Sequence, residues 1–308
     1  MTLNQSRYCK AVVKKYLDSD GTKRDLAYHP TPLPLTFTPS IKDCSVHDNT
    51  AKELEIEFNV EYLSCIGSLI YLSMTRCDTV YVINKLAKFS KCPGRKHFKA
   101  MFHLLRYLRD HPLHGLHFYS DFTRSPILIM LTKEGHTQAH PLFSFSDSSW
   151  DDDVDHGRST GCYIITYMGG VVDHSSNLPN PVALSSAEAE YNEGCLAIMA
   201  SNHLHMLLAE LEGTSDESME PTNINFDSHS AIAMGSSFRD TKHTRHILRR
   251  YHYVHEGIRS KRFNMQWLQT LVQLADIGTK QNPGPCHQFL VTLIHVVVKE
   301  LTTKIQEG

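Results

Sequence analysis

Lysine and arginine are missing from Ser159 through Phe238 of this 308-residue chain, so across that stretch no permanently cationic side chain lies nearby in sequence to neutralise a carboxylate. Basic residues crowd instead into positions 239 to 262, and the formal net charge of -2 conceals an uneven, placed distribution. None of the eight cysteines forms a C-x-x-C pair and none clusters as disulfide frameworks do, which predicts reduced thiols, mostly small core residues, and a cytoplasmic or nuclear setting. No early apolar run resembles a signal peptide, and the longest late stretch, 289 to 298, is interrupted and too short for a bilayer, so a soluble protein with no membrane partner is expected. Glycine-rich phosphate loops and G-x-S-x-G are lacking, which leaves NTP hydrolysis and serine-hydrolase chemistry unsupported. Among the histidines, His243, His246, His252 and His255 have no companion cysteines and no H-E-x-x-H spacing, so zinc is not expected.

What is present is enough apolar sequence, 41% of residues, to fill two ordinary cores. Residues 5 to 17 read as a short helix, followed by the proline-punctuated connector HPTPLPLTFTP. From Val60 to Leu108 the pattern is helical. In the last of these helices Phe98, Met101, Leu104, Leu105 and Leu108 share one side, leaving Lys96, Lys99, His103 and Arg106 on the other. From Ala139 the rhythm changes. FSFSD (143 to 147), GCYIITYM (161 to 168) and GGVVDHS (169 to 175) read as three strands of an antiparallel meander, followed by a long helix near 186 to 212, strand NINFD, a short helix, a basic helix near 243 to 259, strand NMQWLQ and a last helical stretch. This predicts an α/β class with a mixed five-stranded sheet and flanking helices, preceded by a small mainly helical subdomain, divided as residues 1–135 and 139–308.

Four isolated acids stand where elements of that pattern begin or end: Asp147, Glu190, Asp227 and Asp276. Gathered by a fold, they would repel one another unless divalent metal filled the gap. Ser185-x-x-Glu188 has the capping-box spacing, which assigns Glu188 to the helix start. Stepping by sevens from Glu190 reaches Ala197, Leu204 and Leu211, which predicts that Glu190 points inward. Each acid has a blander reading beside the metal one: Glu190 as an exposed first-turn acid, Asp227 as a helix N-cap, and Asp147 as a turn acid beside Asp151, Asp152, Asp153 and Asp155, themselves read as a solvated loop. The joint pattern favours the metal reading, because strand ends along one sheet edge are where α/β folds gather ligands.

Several long motifs, in order over nearly the whole chain, carry a resemblance. YLSCIGSLIYLSMTRCDTVYVINKLAKF and HFKAMFHLLRYLRDHPLHGLHFY precede FSDSSWDDDVDHGRSTGCYI, VALSSAEAEYNEG, INFDSHSAIAM, TRHILRRYHYVHEGI and LADIGTK. The chain resembles the C-terminal part of a copia-type LTR retrotransposon Pol polyprotein, from the thumb or connection-like end of the reverse transcriptase through the RNase H domain. The resemblance implies an RNase H-like sheet and a metal-dependent endonuclease cutting the RNA strand of RNA/DNA hybrids, with Asp147, Glu190, Asp227 and Asp276 holding two Mg²⁺ about 4 Å apart, Mn²⁺ being able to substitute. Lys96, Lys99, Arg106, Arg245, Arg249 and Arg250 are the expected grip on nucleic acid. The polymerase Y-x-D-D motif is absent, so primer extension is not expected of this chain alone, and the palm and fingers of a reverse transcriptase are an expected partner. Where relatives carry a tryptophan and lysines, this chain has Asp173, His174 and SSNLPNP. That departure keeps a non-catalytic retroelement remnant or a nucleic-acid-binding module as the alternative.

Overall fold

The computed structural model describes residues 1–17, 27–45, 48–136, 140–178, 183, 185–215, 218–236 and 248–294, with the backbone alone at 48, 49, 151 and 248–251. The chain divides into two compact units, one made of Met1 with Phe118–Lys280, the other of Thr2–His117 with Gln281–Gly308. The segment after Lys280 therefore groups with the N-terminal half.

In the second of these units a two-residue strand, β1 (Thr2–Leu3), is followed by α1 (Ser6–Tyr16), α2 (Asp48–Phe58), α3 (Tyr62–Ser73), α4 (Val80–Ala87), α5 (Arg95–Asp110) and β2 (Leu116–His117), which pairs with β1. Helix Gly284–Ile294 belongs to the same unit. The amphipathic reading of α5 holds, since Phe98, Met101, Leu104, Leu105 and Leu108 are all buried. Its start requires glycine: a Cβ on Gly94 would lie 1.7 Å from the Asp43 carbonyl oxygen. Under α5 the Arg76 guanidinium donates to both carboxylate oxygens of Asp78 at 2.9 and 2.8 Å, and the Tyr107 hydroxyl donates to Asp78 at 2.7 Å. A buried ion pair is tolerated only when so fully hydrogen-bonded.

The other unit adds α6 (Pro126–Lys133) and then a sheet of β3 (Leu142–Asp153), β4 (Arg158–Tyr167), β5 (Gly170–Asn177), β6 (Thr222–Phe226) and β7 (Phe263–Trp267). Between β5 and β6 runs α7 (Ser186–Glu212), and between β6 and β7 run α8 (His229–Ser236) and α9 (Leu248–Arg259). Strand order is β5-β4-β3-β6-β7, antiparallel among the first three and parallel across β3-β6-β7. This is the mixed five-stranded sheet expected from the sequence. The β4–β5 hairpin turns on Met168 and Gly169, both at positive φ (52° and 78°), the combination a two-residue hairpin with matching twist requires. Helix α7 starts where expected, with Ser185 Oγ accepting the Glu188 N–H at 3.2 Å, and stops at Gly213 with φ 68°. It lies across β3, β4 and β6, and His205 Nδ1 sits 3.0 Å from Thr222 Oγ1 of β6.

Two sequence expectations need correction. Stepping by sevens misplaces the distal stripe of α7: Leu211 is 73% exposed, whereas Ala197, Ile198, Ser201, His205 and Ala209 are buried. An ideal helix drifts about 20° per heptad, so by the third heptad the line has left the core. Strand β3 also outlasts the expected 143–147, because β4 pairs with it through Ser149 and again at Asp153 across a bulge. Asp152 there accepts from Thr160 Oγ1 at 2.7 Å, and the buried Asp153 accepts the Asp155 N–H at 3.3 Å. These two acids hold the hairpin rather than line a solvated loop. Among the described residues no helix is long and apolar enough to cross a membrane.

Candidate metal centre

Strand β6 stops at Phe226, paired with Ser146, so Asp227, just past the carboxyl end of β6, emerges beside Asp147, which lies within β3 at the point where the parallel pairing of the two strands stops. Gln273 ties this edge, its side-chain amide donating to the carbonyls of Ser146 at 3.1 Å and Asn225 at 3.2 Å. Asp276 sits in a one-turn 3₁₀ helix, Leu274–Gly278, not at the start of a longer helix as the sequence suggests. That turn lies so close to β4 that a Cβ on Gly278 would meet Cys162 Sγ at 2.3 Å, and Ser176 Oγ of β5 donates to the Gly278 carbonyl at 2.7 Å. Glycine thus lets the turn press Asp276 onto the sheet.

One oxygen each of Asp147, Asp227 and Asp276 lies within 4.8 Å of the others. Glu190, one turn into α7, is buried, and its Oε2 has no hydrogen-bond partner. Burial, and then the fields of Asp147 and Asp227, push the Glu190 carboxyl up to about 10. Burial and the Asp147 charge likewise raise Asp276 to about 8, and Asp227 is raised by burial and Asp147. Such shifts express carboxylates held together without enough cation. All-oxygen, all-carboxylate donors suit hard divalent ions such as Mg²⁺ or Mn²⁺, and the unpartnered Glu190 oxygen is an acceptor such an ion would satisfy.

The cluster's other contacts were not read from the sequence. Thr279 Oγ1 donates to Asp147 Oδ2, Thr270 Oγ1 donates to Asp227 Oδ2 at 2.9 Å, and the Trp267 indole N–H donates to the Asp227 carbonyl at 3.2 Å. Lys280 Nζ lies 2.9 Å from Asp276 Oδ2. The available signal was spacing, since Lys280 follows Asp276 by four residues. The N-cap reading of Asp227 is displaced, because Ser228 Oγ accepts the Ala231 N–H at the start of α8. As for the expected grip, Lys96 is exposed and paired with Asp43, Lys99 is exposed and Arg106 is half-buried, all on α5. Arg245 lies outside the described residues, and of Arg249 and Arg250 only the α9 backbone is described.

A sheet ordered β5-β4-β3-β6-β7, its meander antiparallel and its last strands parallel, with a long helix crossing between the two sets, defines the RNase H-like class. No family model matches the chain. The Pol polyprotein of transposon RE2 of Arabidopsis thaliana is 27% identical over 278 residues, 90% of this chain and 17% of that protein. The Pol polyprotein of transposon RE1 from the same plant is 30% identical over 220 residues, 71% of this chain and 14% of that protein. A solved LC11-RNase H1 in complex with RNA/DNA hybrid is similar over 45% of this chain and 93% of its own, at 11% identity and a TM-score of 0.32. The chain is a homologue of the retrovirus-related Pol polyproteins of plant copia-type transposons. It spans less than a fifth of the length of these polyproteins.

Proposed function

We propose that this chain is the RNase H of a retrotransposon reverse transcriptase, a metal-dependent endonuclease cleaving the RNA strand of RNA/DNA hybrids. The observation that carries the reading is the convergence of three carboxylate oxygens within 4.8 Å beside the buried, unpartnered oxygen of Glu190. Asp147, Glu190, Asp227 and Asp276 would hold two Mg²⁺, with Mn²⁺ able to substitute. Bound there, divalent ions supply an activated water and stabilise the leaving 3′ oxygen. The protein's own part is to orient the ligands: Thr279 holds Asp147, Thr270 and the Trp267 indole hold the Asp227 segment, and Gln273 ties β3 to β6 beneath them. Lys96, Lys99, Arg106, Arg245, Arg249 and Arg250 supply phosphate contacts, and the sugar 2′-OH distinguishes RNA from DNA. Lacking Y-x-D-D, the chain adds no nucleotides by itself and works beside the palm and fingers of a reverse transcriptase.

The test is cleavage of a labelled hybrid by the purified chain with Mg²⁺ or Mn²⁺, expected to leave 5′-phosphate and 3′-hydroxyl ends on RNA fragments, to spare single-stranded RNA and to stop on chelation. The absence of Lys and Arg from Ser159 through Phe238 favours a second reading, a remnant that folds without turnover. An intact, folded chain that cleaves with neither metal would establish that alternative.

A further inference from the structure

The carboxylates of the candidate metal centre have one permanent cation in contact with them among the contacts described, the Lys280 ammonium, 2.9 Å from Asp276 Oδ2. The two partners differ in solvation: the Asp276 side chain is 4% exposed and that of Lys280 is 39% exposed. Asp276 is therefore fixed in the protein, while the lysine reaches in from the rim on a flexible four-carbon stem and can withdraw into water without breaking the fold. Its field also acts on Glu190 and Asp227, and Asp147 and Asp227 act on it in turn. One ammonium cannot neutralise four carboxylates, yet it stands where positive charge is most needed.

Resting on the RNase H reading above, we propose that Lys280 is an internal counter-cation: it holds Asp276 before metal arrives, is displaced from that carboxylate when a divalent ion binds, and thereby sets both the metal affinity of the site and the stability of the metal-free domain. A lysine side chain is a cation at neutral pH, and at 2.9 Å its ammonium faces the Asp276 carboxylate directly. Ammonium and divalent ion compete for one oxygen, and competition is reciprocal: whatever the lysine gives the empty site, the metal must replace.

The experiment compares the unmodified chain with Lys280→Met, Lys280→Gln and Lys280→Arg, using Mn²⁺ alone as probe. Bound Mn²⁺ is read by loss of the free-ion paramagnetic signal, and metal-free stability by thermal unfolding with circular dichroism. Removing the charge should tighten Mn²⁺ binding roughly tenfold, within the usual range for coupled ligands, and lower the metal-free melting temperature, while Lys280→Arg stays near the unmodified chain on both. Gln serves if Met prevents folding, since it retains hydrogen bonding without charge. Unmodified chain that binds Mn²⁺ together with Met and Gln variants that bind it equally or more weakly would overturn the proposal and leave the nuclease reading standing; weaker grip on hybrid with unchanged Mn²⁺ affinity would instead make Lys280 a phosphate contact. Binding by the charge-free variants alone would support displacement. No binding by any variant would refute the metal centre itself and this inference with it.

Discussion

Replacing Asp227 by Asn should make the metal-free protein more stable and the metal-loaded protein less so. Asp227, Asp147 and Asp276 bring oxygens within 4.8 Å of one another. Two full charges at that separation repel by about 3.5 kcal/mol at an effective dielectric constant of ~20. Asp227 is only partly buried, so solvent screens most of this, leaving a gain of about 1 kcal/mol on removing the charge. For a unit of this size that is roughly 2–4 °C in melting temperature. Asn retains an oxygen to accept from Thr270 Oγ1, and Ser228 caps α8, so no structural bond of the carboxylate is forfeited. Metal reverses the order: at a hundred times its dissociation constant an ion adds about 2.7 kcal/mol to a protein that binds it only when folded. Thermal unfolding with EDTA and with Mn²⁺ should therefore show the two melting curves exchanging rank. A destabilised metal-free Asp227→Asn protein, or an unmodified chain indifferent to Mn²⁺, would refute the reasoning.

Further outcomes are specific to other residues. Glu190 and Asp276 titrate near 10 and 8 in the folded state, above their ordinary 4.5 and 3.8, so between those limits the folded protein binds more protons than the unfolded one. Stability without metal should consequently fall as pH rises from roughly 5 to roughly 9, and Glu190→Gln should flatten the decline; a rise over that range would contradict the electrostatics. In hybrid cleavage, Glu190→Gln should abolish turnover while Glu188→Gln, altering the helix-start residue, leaves it largely intact; the reverse pattern would mean that the metal ligand on α7 is misassigned. Gly194→Ala should destabilise the sheet unit by about 1–3 kcal/mol, the usual cost of overpacking, because its Cβ would lie 2.2 Å from Phe226 Cε1; chemical denaturation showing no loss would place α7 farther from β6 than described.

Local patterns carried much of this protein. Period-two runs marked the strands, Ser185 and Glu188 marked the start of α7, and the apolar line of α5 marked its buried side, because these depend on neighbours within a turn or a pleat. The four acids were legible as isolated carboxylates, but of the element ends assigned to them that of Asp227 after β6 holds, whereas Asp147 lies within β3 and Asp276 within a 3₁₀ turn; ordered motifs indicated the family. Tertiary structure decided what no local window contains. Parallel pairing of β3 with β6 places Asp147 and Asp227 side by side, the close approach allowed by Gly278 carries Asp276 onto β4, and drift of the helical stripe turns Leu211 outward. The same convergence gives Glu190 and Asp276 their raised proton affinities and brings Lys280, Thr279, Thr270 and Gln273 to the site. Charge and hydrogen bonding act through space over a few ångströms, and residues separated by more than a hundred positions acquire those distances only when the sheet closes around them.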